Sequence, residues 1–180
     1  MEAVSCSSRH RFTNNIPSPN WADFSQNVTK YTQLVDRLEG NLGPVPEKAD
    51  AKQIDAHKTE LAQVIRGSRR DARQGDIFTA PVRRRFIEVI RSEIRGAAGK
   101  PAQKTIREDN PNLGRQGPRV RLAVNAVYPD SAPLSTVPPT LLLRLPQLPK
   151  TMDYRFVGRA LVLRDARANI IVDYIPKALL

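Results

Sequence analysis

Between Arg66 and Arg95 the chain carries nine arginines and no lysine, against the carboxylates Asp71, Asp76, Glu88 and Glu93. A planar guanidinium grips phosphate and carboxylate through two parallel N–H bonds, so this density of arginine suits an anionic partner. Arg69, Arg70, Arg73, Arg83, Arg84, Arg85 and Arg91 are the candidate anion- or partner-binding residues. The same guanidiniums can instead pair with neighbouring carboxylates and solvate a helical face. Two helices joined through about Gln74–Phe78 would imitate a helix-turn-helix, whose second helix enters a major groove. Against that, the connector is longer and more apolar than a tight turn, and no aromatic is interleaved to stack on bases.

Catalytic chemistry has less to work with. The two histidines are His10, near the start, and His57, within a polar run. Neither stands with Cys6 at a spacing that would gather the three or four ligands of a metal site. No nucleophile elbow, phosphate loop, zinc motif or glycine-rich dinucleotide fingerprint occurs. The acidic pair Glu108-Asp109 sits in loop-like sequence and reads as surface carboxylates. We therefore expect a protein that is not an enzyme and uses no cofactor or metal.

The charge balance is 29 Lys+Arg against 18 Asp+Glu, a net +11, which favours anionic partners such as nucleic acid, acidic lipid or acidic protein. With one cysteine, no intrachain disulfide can form. No apolar run approaches the roughly 20 residues of a spanning helix, and the first residues lack the apolar core of a secretory signal. Val4-Ser5-Cys6-Ser7 nonetheless resembles the end of a bacterial lipoprotein signal without its upstream hydrophobic part. On that reading Cys6 is a lipidation site; otherwise it is an inert thiol in a loose tail.

The elements that must position these residues divide the chain into a disordered N-terminus (1–19), a helical region (20–96), a loop (97–118) and an antiparallel sheet region with a proline-rich crossover (119–180). Trp21, Phe24, Val28, Tyr31, Val35, Leu38 and Leu42 alternate spacings of three and four, the stripe of one helix. A second helix is expected over about Ala49–Arg73, weakened at Gly67. A third, capped by Thr79 with Pro81 in its first turn, buries Val82, Phe86, Val89, Ile90 and Ile94. Ile77 and Phe78 should staple it to the sheet. Lys104–Glu108 reads as a short edge strand. Arg119–Tyr128 alternates apolar and polar residues as a strand does. Pro138-Pro139 opens a turn or two of helix through Leu141, Leu142 and Leu143, which Pro146 closes; these leucines cover a sheet face or a partner.

The last part reads as a three-stranded antiparallel meander: about Tyr154–Val157, Ala160–Arg164 and Ile170–Ile175. A turn at Gly158-Arg159 with glycine first sets Phe156 opposite Leu161 and Tyr154 opposite Leu163. The second loop, Ala166–Asn169, would set Val172 opposite Leu163 and Tyr174 opposite Leu161. All six side chains would then share one face. The class is α+β: three N-terminal helices, an extended Pro-rich middle and a C-terminal antiparallel β-meander.

The Tyr-Arg-x-Val-Gly-x-x-Leu-Val-Leu pattern at Tyr154–Leu163, after its proline-rich approach, resembles the C-terminal segment of small periplasmic nickel/cobalt-homeostasis proteins. The order GDIF, VNAVYP, LPQLP, YRFVGRALVLRD is similar to a family of uncharacterised bacterial envelope proteins. The resemblance implies a periplasmic or envelope-associated setting. It carries over no metal set, since Met152 stands alone in the matching segment. The resulting expectation is a non-enzymatic bacterial envelope protein, structural or protein-interacting, whose partner is another protein. The alternative is a cytosolic nucleic-acid-binding protein using the Arg-rich helices of 66–95.

Overall fold

Trp21, Phe24, Val28, Tyr31, Val35, Leu38 and Leu42 do line one side of a helix, α1 (Pro19–Leu42), which ends where Gly43 takes a φ of +82°. The structure, a computed structural model, describes residues 19–43, 45, 48–97, 99–113 and 118–179. The readings placed on residues 1–18, Cys6 and His10 among them, lie outside the described residues.

Helix α2 (Ala51–Ser68) starts at a reciprocal cap. The Gln53 N–H donates to the Asp50 carboxylate at 2.7 Å, and the Asp50 N–H donates to the Gln53 side chain at 2.9 Å. It stops one residue after Gly67, short of Arg73, and the chain turns instead through Arg69–Asp71. Helix α3 (Ala80–Arg95) buries Val82, Phe86, Val89 and Ile90, as its period requires. Both α2 and α3 pack on α1. Phe24 and Phe86 approach at 5.0 Å between ring centres, and Trp21 meets Phe86 edge-on at 4.9 Å.

Two sequence readings between 97 and 128 need correction. The stretch read as loop, with an edge strand at Lys104–Glu108, contains a helix, α4 (Gly99–Arg107), packed on α3. Its first residue is a glycine for a steric reason: a Cβ there would lie 2.0 Å from the Ile94 carbonyl oxygen. Arg119–Tyr128 is not a continuous strand. Asn125 takes a φ of +62°, which breaks the extended backbone, and only Val127 forms a bridge, antiparallel to Ile170. The segment still closes the outer edge of the last strand. Asn125 and Tyr128 donate backbone N–H bonds to Ile171 and Asn169, and Ile171 donates to Ala126, all at 2.8 Å. After it comes the short helix α5 (Pro139–Leu142).

The meander is present: β1 (Met152–Val157), β2 (Ala160–Asp165) and β3 (Ile170–Ile175), in that order, antiparallel throughout. Gly158 has a φ of +58° in the β1–β2 turn, and the register there is the expected one, Tyr154 on Leu163 and Phe156 on Leu161. The β2–β3 register differs by one residue. Leu161 faces Ile175 and Leu163 faces Asp173, because a bulge between Leu163 and Arg164 leaves Val172 without a partner. The bulge keeps Val172 on the helix side next to Asp173, whereas Tyr174 turns to the opposite face. Tyr154, Phe156, Leu161, Leu163, Val172 and Ile175 thus join the helices in the main core. The reverse face of the sheet, Val157, Val162 and Ile171, is covered by Val120, Tyr128 and Ala132. The protein is a mixed α+β fold with four longer helices, and among the described residues no helix is long and apolar enough to cross a membrane.

Candidate functional site

The seven arginines singled out from the sequence are distributed rather than gathered. Arg69 is half-buried and turned toward the sheet. Its guanidinium donates to Asn125 Oδ1 at 2.9 Å and to the Val172 carbonyl at 3.4 Å, and lies 4.9 Å from the centre of the Tyr31 ring. The Asn125 amide returns a bond to the Arg69 carbonyl at 2.8 Å. Burial lowers the pKa of this guanidinium from its usual value, with Tyr31, Asp173 and Asp76 offsetting part of the effect. Arg70 is exposed and folds back on the Gly67 carbonyl. Arg73 and Arg84 are exposed; Arg83 and Arg91 are half-buried on α3. Arg85 pairs with Glu88 at 3.3 Å and lies over Trp21. Helices α2 and α3 each pack on α1 rather than chiefly on one another.

Where charged side chains do converge, they join elements together. Asp165, fully buried, accepts from the Tyr31 hydroxyl at 2.9 Å and from the Arg167 N–H at 2.8 Å. Burial, and after it the neighbouring Asp165, pushes the Tyr31 phenol well above its ordinary range. Arg167 reaches Asp36 at 2.7 Å and Glu39 at 2.9 Å on α1, and His57 of α2 stands 3.7 Å from Glu39. Asp173 is gripped in the same manner. Its carboxylate accepts backbone N–H bonds from Gly75, Ile77, Phe78 and Tyr174, so the GDIF corner wraps a single side chain of β3. Ile77 and Phe78 are buried there, as the staple reading anticipated. Among the described residues no cluster of His, Cys, Asp and Glu has the geometry of a metal site.

A groove lies elsewhere, in the proline-rich approach to the sheet. Pro138 and Pro139 start α5, and its single turn divides the three leucines. Leu141 is fully buried, whereas Leu142 is 44% exposed and Leu143 is 88% exposed. Arg144 ties this turn to α3 through Glu93 at 3.1 Å and Ser92 at 3.2 Å. The Tyr154 hydroxyl ties the following segment down by donating to the Pro146 carbonyl at 3.0 Å. Between these anchors runs a groove of about 560 Å³, with Val137, Leu145, Leu148, Met152 and Tyr154 among its walls and Leu142 and Leu143 at its margin.

One wall of this groove is the outer edge of β1. The two-residue turn makes Val157/Ala160, Arg155/Val162 and Asp153/Arg164 the pairs that exchange backbone bonds with β2. The N–H and C=O of Met152, Tyr154 and Phe156 therefore point away from the sheet. Phe156 is satisfied by the Ser135 hydroxyl, which accepts from its N–H at 2.8 Å and donates to its C=O at 2.7 Å. The Met152 N–H donates to the Pro149 carbonyl at 2.9 Å. Among the described residues no hydrogen bond reaches the N–H or C=O of Tyr154.

The sequence pointed at Leu141–Leu143 as covering a sheet face or a partner; the fold turns Leu141 into the main core and leaves Leu142 and Leu143 exposed. It gave no sign of the unpaired backbone at Tyr154. Comparison with protein-family models, curated proteins and solved structures finds no match for this chain.

Proposed function

We propose that this is a non-enzymatic protein-interaction module of the bacterial envelope that holds a partner protein at the groove beside β1. The observation that carries the reading is Leu143, 88% exposed beside Leu142 at the margin of a walled groove. A leucine side chain left in water forgoes about 2 kcal/mol of burial, and two adjacent ones on a rigid, proline-bounded turn are what a docking surface supplies. The non-enzymatic part rests on where the ionisable groups are used: Asp165, Asp173, Arg69 and Arg167 are engaged in joining helices to sheet. The envelope setting rests on the resemblance carried by Tyr154–Leu163 and its approach.

The test is a photo-crosslinking side chain placed at Leu142 in the full chain, in cells. A discrete adduct with one protein, lost when Leu143→Glu is added, is the expected result. Adducts that are diffuse and indifferent to Leu143→Glu would remove the reading.

A second reading, binding to nucleic acid, draws on the net charge of +11 and on the exposed Arg70, Arg73, Arg84 and Arg95. Retention on heparin that falls steeply with salt supports it, and flow-through at low salt ends it.

A further inference from the structure

The open backbone position at Tyr154 and the groove beside it describe a particular kind of ligand. We infer that the groove takes an extended peptide segment of a partner protein, bridged to β1 at the single position Tyr154, with apolar side chains on one side and carboxylates on the other. This rests on the reading of the groove as a protein-docking site and specifies what docks there.

The backbone supplies the first argument. An N–H and C=O directed outward from an edge strand form a pair of bonds with one residue of an added strand, the mode by which sheets capture extended peptides. Ser135 serves the next outward position, at Phe156, and Pro149 serves the Met152 N–H, so the unpaired edge is confined to the one position at Tyr154.

The side chains supply the second. Along β1 the residues alternate: Met152, Tyr154 and Phe156 toward the helices, Asp153 and Arg155 toward the reverse face. An added strand repeats that alternation, and cross-strand neighbours on each face interact. On the helix side it would set apolar side chains against Met152, Leu145 and Leu148, with Leu143 closing over them. On the other side it meets Arg155. Asp153 serves two guanidiniums there, accepting from Arg155 at 3.0 Å and from Arg164 at 2.7 Å, which leaves one positive charge in excess among the three. The Arg155 guanidinium also donates to the Ser135 carbonyl at 3.1 Å, a neutral acceptor that leaves the charge balance unchanged. A carboxylate on the incoming strand complements that charge; an ammonium group opposes it.

The probe is a blocked seven-residue peptide alternating valine and glutamate, titrated into the full protein. Backbone amides are followed by NMR and their exchange with solvent is measured. Binding should slow exchange at the Tyr154 amide by about tenfold or more, and a peptide N-methylated at its central amide should bind about tenfold more weakly. The lysine counterpart should also bind about tenfold more weakly. Leu143→Glu, on a side chain too exposed to affect folding, should abolish binding. Binding that needs Leu143 but leaves the Tyr154 amide and the N-methyl arm unchanged overturns strand addition while keeping the docking site. No Leu143-dependent binding of this peptide, together with a failed crosslink at Leu142, removes the docking site itself. Two further results overturn the partner as occupant: protection of Tyr154 by a synthetic peptide of residues 1–18, or protection already present in the free protein that dilution relieves, which would mark a second copy.

Discussion

The carboxylate of Asp173 on β3 and the backbone N–H of Phe78 at the entry to α3 meet at 2.8 Å, and the N–H groups of Ile77 and Gly75 close on the same side chain at 2.9 and 3.0 Å. One buried carboxylate thereby fixes where the α2–α3 connector crosses the sheet. Asp173→Ala would strand these N–H groups away from water. Hydrogen bonds to a charged acceptor contribute roughly 1.5–3 kcal/mol each, and their losses overlap, so we expect a destabilisation of about 3–4 kcal/mol. Urea unfolding of the two proteins measures it. A loss below about 1 kcal/mol would mean the corner is held by Ile77 and Phe78 packing alone.

Arg69 and Arg70 are neighbours in sequence with opposite consequences. Arg69→Ala removes the bonds to Asn125 and Val172 and the contact with Tyr31, and should cost about 2–3 kcal/mol. Arg69→Lys should recover little, because a single ammonium cannot reproduce the planar fork. Arg70→Ala should stay within about 0.5 kcal/mol. Equal unfolding midpoints for the two alanine variants would contradict this assignment.

Asp173 and Glu93 should titrate with opposite effects on stability. Burial raises the Asp173 carboxyl above its ordinary 3.8, and the N–H bonds from Phe78, Gly75, Tyr174 and Ile77 reverse this only in part. A group whose proton is held more tightly in the folded chain contributes stability that is complete below its unfolded value and is lost as pH rises through its folded value. Glu93 is held below its ordinary 4.5 by the Thr140 hydroxyl and by Arg144. Its contribution is present above 4.5 and disappears as pH falls through the folded value. Unfolding free energies from about pH 3 to about pH 7 should therefore diverge in slope. Relative to Asp173→Asn, the wild type loses ground with rising pH; relative to Glu93→Gln, it gains. Parallel curves for the two comparisons would refute the assignment.

Two glycines separate local preference from close packing. A Cβ at Gly67 meets nothing within 4 Å, so Gly67→Ala in α2 should stabilise by about 0.5–1 kcal/mol. At Gly99 a Cβ would collide with the Ile94 carbonyl, and Gly99→Ala should destabilise by more than about 2 kcal/mol as α4 is pushed off α3. Thermal or urea midpoints that move the same way for both substitutions would show this contrast to be wrong.

Legibility in the sequence followed how local each cause was. The β1–β2 register could be read because the two residues of the turn, Gly158 and Arg159, determine it. The helix stripes of α1 and α3 were equally plain, since each period repeats within its own segment. The β3 register differs by one residue from the reading because of the bulge at Val172, beside Asp173, whose bonds go to Gly75–Phe78 nearly a hundred positions away. Glycine and proline near the start of α4 imitated a loop, although Gly99 is there for clearance and Pro101 stands in the first turn, where its missing N–H does no harm. In Arg119–Tyr128 the apolar alternation was real but Asn125 interrupts it, committed by side chain to Arg69. The arginine cluster could be counted from the sequence, but no spacing marked Arg69 as the member bonded to Asn125 and Val172. The groove was legible only as far as its leucines, because an unsatisfied backbone group has no residue type.

The grip of Asp173 on Gly75 spans 98 residues, and that on Phe78 spans 95. During synthesis the connector between the second and third helices is therefore complete well before the side chain that anchors it has left the ribosome. Phe24, Phe78 and Phe86 can stack on one another through that interval, but Phe24 and Phe86 still lack Tyr154, the ring that the sheet lays against them. A chain that ends before residue 173 has the residues of its first three helices but lacks the carboxylate that closes the connector between the second and third.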